Sequence, residues 1–377
     1  MNRPIYLDYA ATTPVDPRVA ELMIRYLTLE GDFGNASSQH IYGFAARDAV
    51  ENAREKIAAL IGAETSEIIF TSGATEADNL AIKGAAHLYH RKGKHLVTMK
   101  TEHKAVLDSC QTLEKTGYSV TYLAPENNGR LNLDLFRESL RDDTTLVTIM
   151  HVNNETGVMQ DLAAIATETS ARGILLHVDA AQSGGKLPLN VQDIPIDMIA
   201  LSGHKIYGPK GIGALYLRKK PRVRVEPLIH GGGHEQGMRS GTLPVHLIVG
   251  MGEAFAIAAR EREQDFAHVS KLNSQFLSAL KNKITNLEVN GEHAERSPYI
   301  LNLRFEGMLA DAILKQVPEI AVSTASACQG KGTEGSYVLR AMGLTEQQAK
   351  SSIRVSFGRF TTLQDVERAA SAIAKLF

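Results

Sequence analysis

Lys205 stands where a reactive amine would be held. In the stretch SGHKIYGPKGIG it comes shortly after an apolar run and just before a turn rich in glycine and proline. A desolvated amine in such a position suits Schiff-base formation with a carbonyl compound. The alternative, a lysine solvated in a loop, fits Lys210 better.

Two further features match the needs of such a carbonyl compound. Asp179 ends the apolar run ILLHVD, where a buried carboxylate needs a cationic or hydrogen-bonding partner such as a protonated ring nitrogen. Thr75 lies in TSGATEADN, between a predicted strand and a helix start that could bind phosphate. Pyridoxal 5'-phosphate requires this set of groups. The alternatives are helix capping by Asp179, and by Thr75 together with Glu76.

Three other side chains allow two interpretations each. Cys328, one of only two cysteines, lies in STASACQGKGTEGSYVLR and is either a packed turn thiol or a nucleophile. His103 either stacks on a flat ring and moves protons, or lies on the surface. Arg354, in SSIRVSF, either binds a substrate carboxylate or forms a surface ion pair. Cys110 lies in a helical pattern and is expected to be buried and inert.

Strand and helix patterns alternate from about residue 67 to 217, which predicts an α/β fold with a mostly parallel seven-stranded sheet covered on both faces. The last two strands lack a crossover helix, so one antiparallel strand is expected. Ligands of such sheets bind beyond the carboxyl ends of the strands. Five of the predicted strand ends are followed by polar loops: TSGATEADN, TEHK, NNETG, DAAQS and SGHK.

The same pattern predicts two interwoven domains. Residues 14–258 form the large domain, which binds the cofactor. Residues 1–13 and 259–377 form a smaller α+β domain that carries the cysteine loop at about 323–336.

Composition restricts the classes of partner. The net charge is −1, which gives no general attraction for nucleic acid or a membrane surface. The N-terminus resembles no signal peptide, and two cysteines form no disulfide framework, so a cytoplasmic protein is expected. The basic run LRKKPRVRVEP is either a solvated edge or a docking surface for an acidic protein.

Taken together, the motifs resemble the cysteine desulfurases of the IscS- and NifS-like group, class-V aminotransferases of pyridoxal-phosphate fold type I. The resemblance covers essentially the whole chain in order. The motifs that carry it are YLDYAATTP, TSGATEADN, TEHKAV, HVNNETG, HVDAAQS, SGHKIYGPKGIGALY, HGGGHEQGMRSGTLP and SSIRVSFGRFTT.

The resemblance implies a role for each matching position. Lys205 and Cys328 would be the catalytic amine and nucleophile, His103 would stack over the ring and shuttle protons, and no metal site is implied. The cofactor-binding residues would be Ala74, Thr75, His103, Asn154, Asp179, Gln182, Ser202, His204, Lys205 and, from the second subunit of a homodimer, Thr242. The substrate-binding residues would be Asn35, Asn154 and Arg354.

The implied activity removes sulfur from L-cysteine, giving L-alanine and a persulfide on Cys328. An acceptor protein would take that sulfur for iron–sulfur cluster assembly, tRNA thiolation or DNA phosphorothioation, and Cys328 as a transient iron–sulfur ligand stays open. The other candidates are a selenocysteine lyase, a class-V aminotransferase and a non-catalytic subunit. The sequence departs from the family at Ala36, where proline is common, and at Ala325, where glycine is usual. It also lacks the C-terminal tail of many members, which leaves the acceptor open.

Overall fold

The computed structural model describes residues 3–324 and 335–377. In chain order, the described strands are β1 (Ile5–Tyr6), β2 (Ile68–Thr71), β3 (His95–Met99), β4 (Ser119–Leu123), β5 (Thr144–Met150), β6 (Leu175–Asp179), β7 (Met198–Ser202), β8 (Gly213–Leu217), β9 (Leu287–Val289), β10 (Ile300–Phe305), β11 (Ile320–Ala321), β12 (Ser323–Thr324) and β13 (Ser352–Ser356).

The α-helices described in the same ranges cover both faces of the main sheet and pack against the smaller one. They are α1 (Pro17–Ile24), α2 (Ile41–Ile61), α3 (Ala74–Tyr89), α4 (Lys104–Glu114), α5 (Leu133–Ser139), α6 (Leu162–Ala171), α7 (Val245–Lys281), α8 (Ala310–Gln316), α9 (Tyr337–Ala341), α10 (Glu346–Lys350) and α11 (Leu363–Ala374).

The large sheet has the strand order β2-β8-β7-β6-β5-β3-β4. Its neighbours pair in parallel except at β8, which is antiparallel to both β2 and β7. The expected α/β architecture, with seven strands and one of them antiparallel, is therefore confirmed. Because β2, β3, β5, β6 and β7 run in one direction, the loops that follow them meet at a single edge of the sheet.

Successive residues of a strand point to opposite faces, and both faces of this sheet are buried. In β2, Ile68 and Phe70 join one hydrophobic cluster while Ile69 joins another on the opposite face. The same alternation separates Leu96 from Val97 in β3. This explains why the strands read as continuous apolar runs.

A second hydrophobic cluster lies under the smaller sheet, whose order is β12-β13-β10-β9 with antiparallel neighbours. The N-terminal strand β1 pairs in parallel with β11 beside it. Helix α7 has 37 residues and serves both cores. Its residues up to Ile257 pack with the large sheet, and those from Val269 pack with the small one. The predicted boundary at residues 258 and 259 falls inside this helix and stays a prediction.

None of the helices in the described ranges is both long enough and apolar enough to span a bilayer. In the basic run after β8, Val223 and Val225 are buried while Arg222 and Arg224 are exposed.

Candidate active site

A cavity of about 490 Å³ lies at the carboxyl edge of the large sheet. The loops after β2, β3, β5, β6 and β7 all contribute side chains to its wall. Ten of the residues singled out from the sequence line it: Ala74, Thr75, His103, Asn154, Asp179, Gln182, Ser202, His204, Lys205 and Arg354.

Lys205 lies in a short 3-10 turn directly after β7. Its Nζ donates to the carbonyl oxygen of Ala10 at 2.5 Å and to that of Ala11 at 2.7 Å. Gln182 Nε2 donates to the same Ala10 oxygen at 2.9 Å. The N-terminal segment therefore closes one wall of the cavity, and its backbone carbonyls set the position of the amine. The motif YLDYAATTP signalled this segment, but side-chain chemistry alone did not predict backbone acceptors.

Asp179 is the last residue of β6, and only 6% of it is exposed. One carboxylate oxygen accepts from the N–H of Ala181 at 2.9 Å, and a turn, not a helix, follows. Asp179 is therefore no helix cap. Burial raises the pKa of its carboxyl group, while electrostatic interaction with His103 and Lys205 and the hydrogen bond from Ala181 oppose that rise. A cationic group in the cavity would stabilise the ionised carboxylate further.

His103 lies after β3 and caps α4, where its Nδ1 accepts from the N–H of Ala105 at 3.1 Å. In the neutral ring the proton must then reside on Nε2. His103 therefore fills a place in the cavity wall with its orientation fixed by its own helix. His103 thus caps α4 and also lines the cavity, so the alternative that it lies on the surface is wrong.

The opposite end of the cavity is suited to an anion. Helix α3 begins at Ala74, and its first N–H groups have no acceptor within the helix. A Cβ at Gly73 would meet no atom within 4 Å, so space is open in front of this helix end. The nearby Glu76 carboxylate is paired with Arg239 at 2.9 Å, which compensates its charge. Burial, and then neighbouring lysines, lower the pKa of His204 to about 4, so its ring is neutral at pH 7.

Two amide oxygens in the cavity wall have no hydrogen-bond partner among the described residues. They are Asn154 Oδ1 and Gln182 Oε1, and both are buried. Buried polar atoms are rarely left unsatisfied, and a polar ligand would satisfy both at once.

Arg354, on β13, is 4% exposed and reaches the cavity from the small sheet. Its Nη2 lies 2.8 Å from Asp8 Oδ1, and its Nη1 donates to the Asn154 carbonyl oxygen at 2.8 Å. Its Nε is buried and has no partner in the described part of the chain. Arg354 is thus no surface ion pair but a fixed guanidinium with bonding capacity remaining.

Three of the predicted residues are not placed in this cavity. Asn35 and Thr242 are exposed and do not line it. The segments that carry them are linked through His234, which approaches Ser37 Oγ at 3.2 Å and accepts from the N–H of Gly241 at 3.3 Å. Cys328 lies outside the described residues, as does Ala325. Cys110 is fully buried, and burial raises the pKa of its thiol to about 12, which keeps it inert.

Sequence reasoning missed two buried acids next to Asp179. Asp78 lines the cavity, and burial followed by the charge of Asp179 raises its pKa. Glu102 is fully buried, and burial followed by the charge of Asp179 raises its pKa too, while a hydrogen bond from the Met150 backbone opposes that rise. The sequence signal for Asp78 was an acidic residue among the small and apolar residues of the buried face of α3. Among the described residues no group of three His, Cys, Asp or Glu side chains is arranged to hold a metal ion.

The whole chain is similar to several known proteins. The aminotransferase class-V family profile matches residues 5–369. The cysteine desulfurase IscS of Vibrio vulnificus (strain YJ016) is 55% identical over 381 residues, covering 100% of this chain and 94% of that protein. A solved NifS-like protein matches with a TM-score of 0.92 at 34% identity over 99% of both chains. DndA from Streptomyces lividans matches with a TM-score of 0.80 at 44% identity, covering 94% of this chain and 99% of that one.

Proposed function

Since this chain belongs to the aminotransferase class-V family and is a cysteine desulfurase, we propose that it acts through pyridoxal 5'-phosphate held in the cavity at the carboxyl edge of the large sheet. The observation that carries the proposal is the meeting of Lys205, Asp179 and Arg354 around one cavity. The amine can hold the cofactor covalently, and the buried acid can pair with a cationic ring nitrogen. The guanidinium can bind a substrate carboxylate.

The residues present fit this cofactor. The open helix start at Gly73 and Ala74, with Thr75, Ser202 and His204 beside it, suits a phosphate group. The unsatisfied oxygens of Asn154 and Gln182 offer acceptors for ring substituents. His103 supplies a flat ring that can stack on another flat ring.

When bound, pyridoxal 5'-phosphate supplies an aldehyde that condenses with amines and a ring that accepts the electron pair left at the substrate Cα. Lys205 would hold the aldehyde, and its freed Nζ would remove the Cα proton of L-cysteine. Asp179 would accept a hydrogen bond from the protonated ring nitrogen of the cofactor and so keep that nitrogen protonated. The positive charge of the ring would in turn keep Asp179 ionised. His103, with Nδ1 committed to its helix, would exchange protons through Nε2.

Arg354 and Asn154 would bind the substrate carboxylate. The Cys328 thiolate would then attack the substrate sulfur, so that an S–S bond forms as the Cβ–S bond breaks and the electron pair passes to Cβ. Protonation of Cβ and return of a proton to Cα by the Lys205 amine give L-alanine, and Cys328 keeps the sulfur as a persulfide for an acceptor protein. The thiol needs ionisation, and a hydrogen bond donated by the Nε2–H of His103 would favour the thiolate. A free nucleophilic thiol persists in a reducing compartment, and we propose the cytoplasm.

A homodimer would complete the site. Large apolar side chains are exposed beside Asn35 and at the start of α2: Phe33 at 49%, Ile41 at 77%, Tyr42 at 50% and Phe44 at 48%. Exposed apolar patches of this kind mark interfaces. We propose that a second copy covers this face, and that Asn35 and Thr242, which adjoin it, reach the partner's cavity.

The test begins with borohydride reduction of the protein loaded with pyridoxal 5'-phosphate, followed by peptide mass analysis. The label is expected on the peptide with Lys205, and Lys205→Ala should lose both the label and turnover. The matched control Lys210→Ala should keep the label. A label on any other lysine overturns the assignment.

Cys328→Ala separates the sulfur-transfer activity from the alternatives. It should stop alanine production from L-cysteine, because no thiol then takes the sulfur. Full alanine production by this variant would instead indicate a lyase that releases sulfur without a protein persulfide, and amino transfer without alanine release would indicate an aminotransferase. Loading Cys328 with labelled sulfur then identifies the acceptor.

A further inference from the structure

Both ends of the segment that carries Cys328 are hydrogen-bonded to carboxylates near Arg354. Residues 325–334 join Thr324 to Gly335, and on either side of them stand Ser323 and Ser336. Both serines are buried, at 8% and 0% exposure. Neither of them was given a role by the sequence motifs.

At the first end, the hydroxyl of Ser323 donates to Asp8 Oδ2 at 2.9 Å. The other oxygen of Asp8 holds Arg354 Nη2 at 2.8 Å, and the same Nη2 approaches Ser323 Oγ at 3.3 Å. Ser323 and Arg354 also face each other in register on β12 and β13. This end of the segment is therefore bound directly to the guanidinium that we assign to the substrate carboxylate.

At the second end, the hydroxyl of Ser336 donates to Glu155 Oε2 and, as the N-cap of α9, accepts from the N–H of Leu339 in the first turn of that helix. Glu155 itself is held by Asn302, whose Nδ2 donates to its carbonyl oxygen at 3.0 Å. The preceding residue, Asn154, accepts from Arg354 Nη1. The second end is therefore linked to the same guanidinium indirectly. Ser336 is bonded to Glu155, and the carbonyl of the adjacent Asn154 is bonded to Arg354.

Burying the carboxylate of Glu155 costs free energy, because its charged form loses solvation. Burial raises the pKa of its carboxyl group to about 7, and the Ser336 hydroxyl and the charge of Arg354 oppose that rise. Its carboxylate does not line the cavity, so it does not meet the substrate. Its described side-chain partner is Ser336.

We propose that Asp8 and Glu155 are positioning residues that anchor the two ends of the Cys328 segment, through Ser323 and Ser336, to the Arg354 site. The proposal rests on the proposed role of Cys328 as sulfur acceptor. Its consequence is that the anchors set the rate of sulfur transfer to Cys328, whereas L-cysteine binding depends on Arg354.

Ser336→Ala gives the cleanest test, because Ser336 touches neither Arg354 nor the cavity. L-cysteine binding, followed by the absorbance change of the loaded enzyme, should stay within about twofold, whereas persulfide formation on Cys328 should slow by about tenfold. Ser323→Ala should slow sulfur transfer and also raise KM, since Ser323 contacts Arg354. Ser336→Thr, which keeps a hydroxyl, should restore the rate.

The matched control is Ser297→Ala. Ser297 is also buried, at 2% exposure, but its hydroxyl has no hydrogen-bond partner among the described residues. It should change neither binding nor sulfur transfer. If Ser336→Ala folds poorly, Glu155→Gln against Glu155→Ala asks the same question. Gln keeps an acceptor for Ser336 and should retain most of the rate that Ala loses.

A readout without the cofactor uses thiol alkylation. Because Cys110 is fully buried, iodoacetamide should report on Cys328. Because Ser336→Ala removes the hydrogen bond to Glu155 at one end of the segment, it should change the Cys328 alkylation rate by at least about threefold in the apoprotein, and Ser297→Ala should not. Wild-type sulfur transfer and alkylation in Ser336→Ala would overturn the anchoring proposal. Alanine production by Cys328→Ala would instead overturn the proposed function.

Discussion

Asp78 Oδ1 and His177 Nε2 lie 3.5 Å apart beneath the cavity, both on fully buried side chains. They are not an ion pair at neutral pH. Burial lowers the pKa of His177 to about 3, and burial with the charge of Asp179 raises that of Asp78. His177 Nδ1 is already hydrogen-bonded to Thr148 Oγ1 at 2.8 Å. His177 is therefore a neutral imidazole, and the pKa of the Asp78 carboxyl beside it is shifted towards the protonated form.

Asp78→Asn should consequently be mild and should change the pH dependence of stability. A carboxyl group whose folded pKa is raised takes up a proton on folding, so wild-type stability falls as pH rises above the unfolded pKa near 3.8. The variant lacks this loss. Above pH 3.8 its free energy of unfolding should therefore increase relative to that of the wild type, by up to about 1.4 kcal/mol per pH unit. Denaturant unfolding of the apoprotein at pH 5, 7 and 9 measures it. Asp48→Asn, at an exposed helix position, is the control, and a pH-independent difference for Asp78→Asn would show that Asp78 is ionised.

Lys186 should make the free energy of unfolding depend on pH in the opposite direction. Burial, followed by the charges of Lys205 and Arg354, lowers the pKa of its amine to about 7. A base with a lowered folded pKa releases a proton on folding, so wild-type stability rises as pH increases from 7 towards 10.5. The advantage of Lys186→Met over the wild type should shrink by about 2 kcal/mol between pH 7 and pH 9. Unfolding of the apoprotein at both values tests this, with the exposed Lys210→Met as the control that should show no such trend.

Arg354→Lys should mainly weaken substrate binding. Lysine keeps the charge but cannot hold Asp8, the Asn154 carbonyl and a carboxylate together with one planar group. KM for L-cysteine should rise by about 10- to 100-fold, with a smaller change in kcat. Steady-state kinetics decide it, with Arg304→Lys on the neighbouring strand β10 as the control. An unchanged KM would mean that the substrate carboxylate binds elsewhere.

Mixed dimers test whether Thr242 serves the partner's site. Lys205→Ala should be inactive, and Thr242→Glu should be nearly so because its charge would repel phosphate. If Thr242 crosses the interface, a mixed dimer of the two variants contains one intact site, and random mixing should restore about a quarter of wild-type activity. Activity that stays at the level of the separate variants would place Thr242 at its own subunit's site. Lys205→Ala mixed with Lys205→Ala,Thr242→Glu is the matched control and should stay inactive.

The site residues at strand ends could be predicted from the sequence because a parallel sheet fixes where its carboxyl ends lie. Asp179 and Lys205 follow apolar strands, and the topology alone brings them together. The position of Arg354 needed the small sheet to pack against that edge, which the resemblance implied but the strand pattern did not.

Other features depend on contacts between distant segments, which no local pattern encodes. The Ala10 carbonyl that holds Lys205 is a backbone atom from the far N-terminus. The exposure of Asn35 and Thr242 in the single chain could not be read from their motifs. The start of α7 at Val245 is not marked by an amphipathic pattern, because its first turns are apolar on most sides, as expected of a helix buried between layers.

Helix α7 carries a mechanical consequence. At about 1.5 Å per residue its 37 residues form a rod of about 55 Å. One half is embedded beneath the sheet that presents Lys205, and the other beneath the sheet that presents Arg354. A single continuous helix therefore links the sheet that presents the amine to the sheet that presents the guanidinium, and cutting the chain at residue 258 would remove this rigid link while leaving each core its own half of the helix.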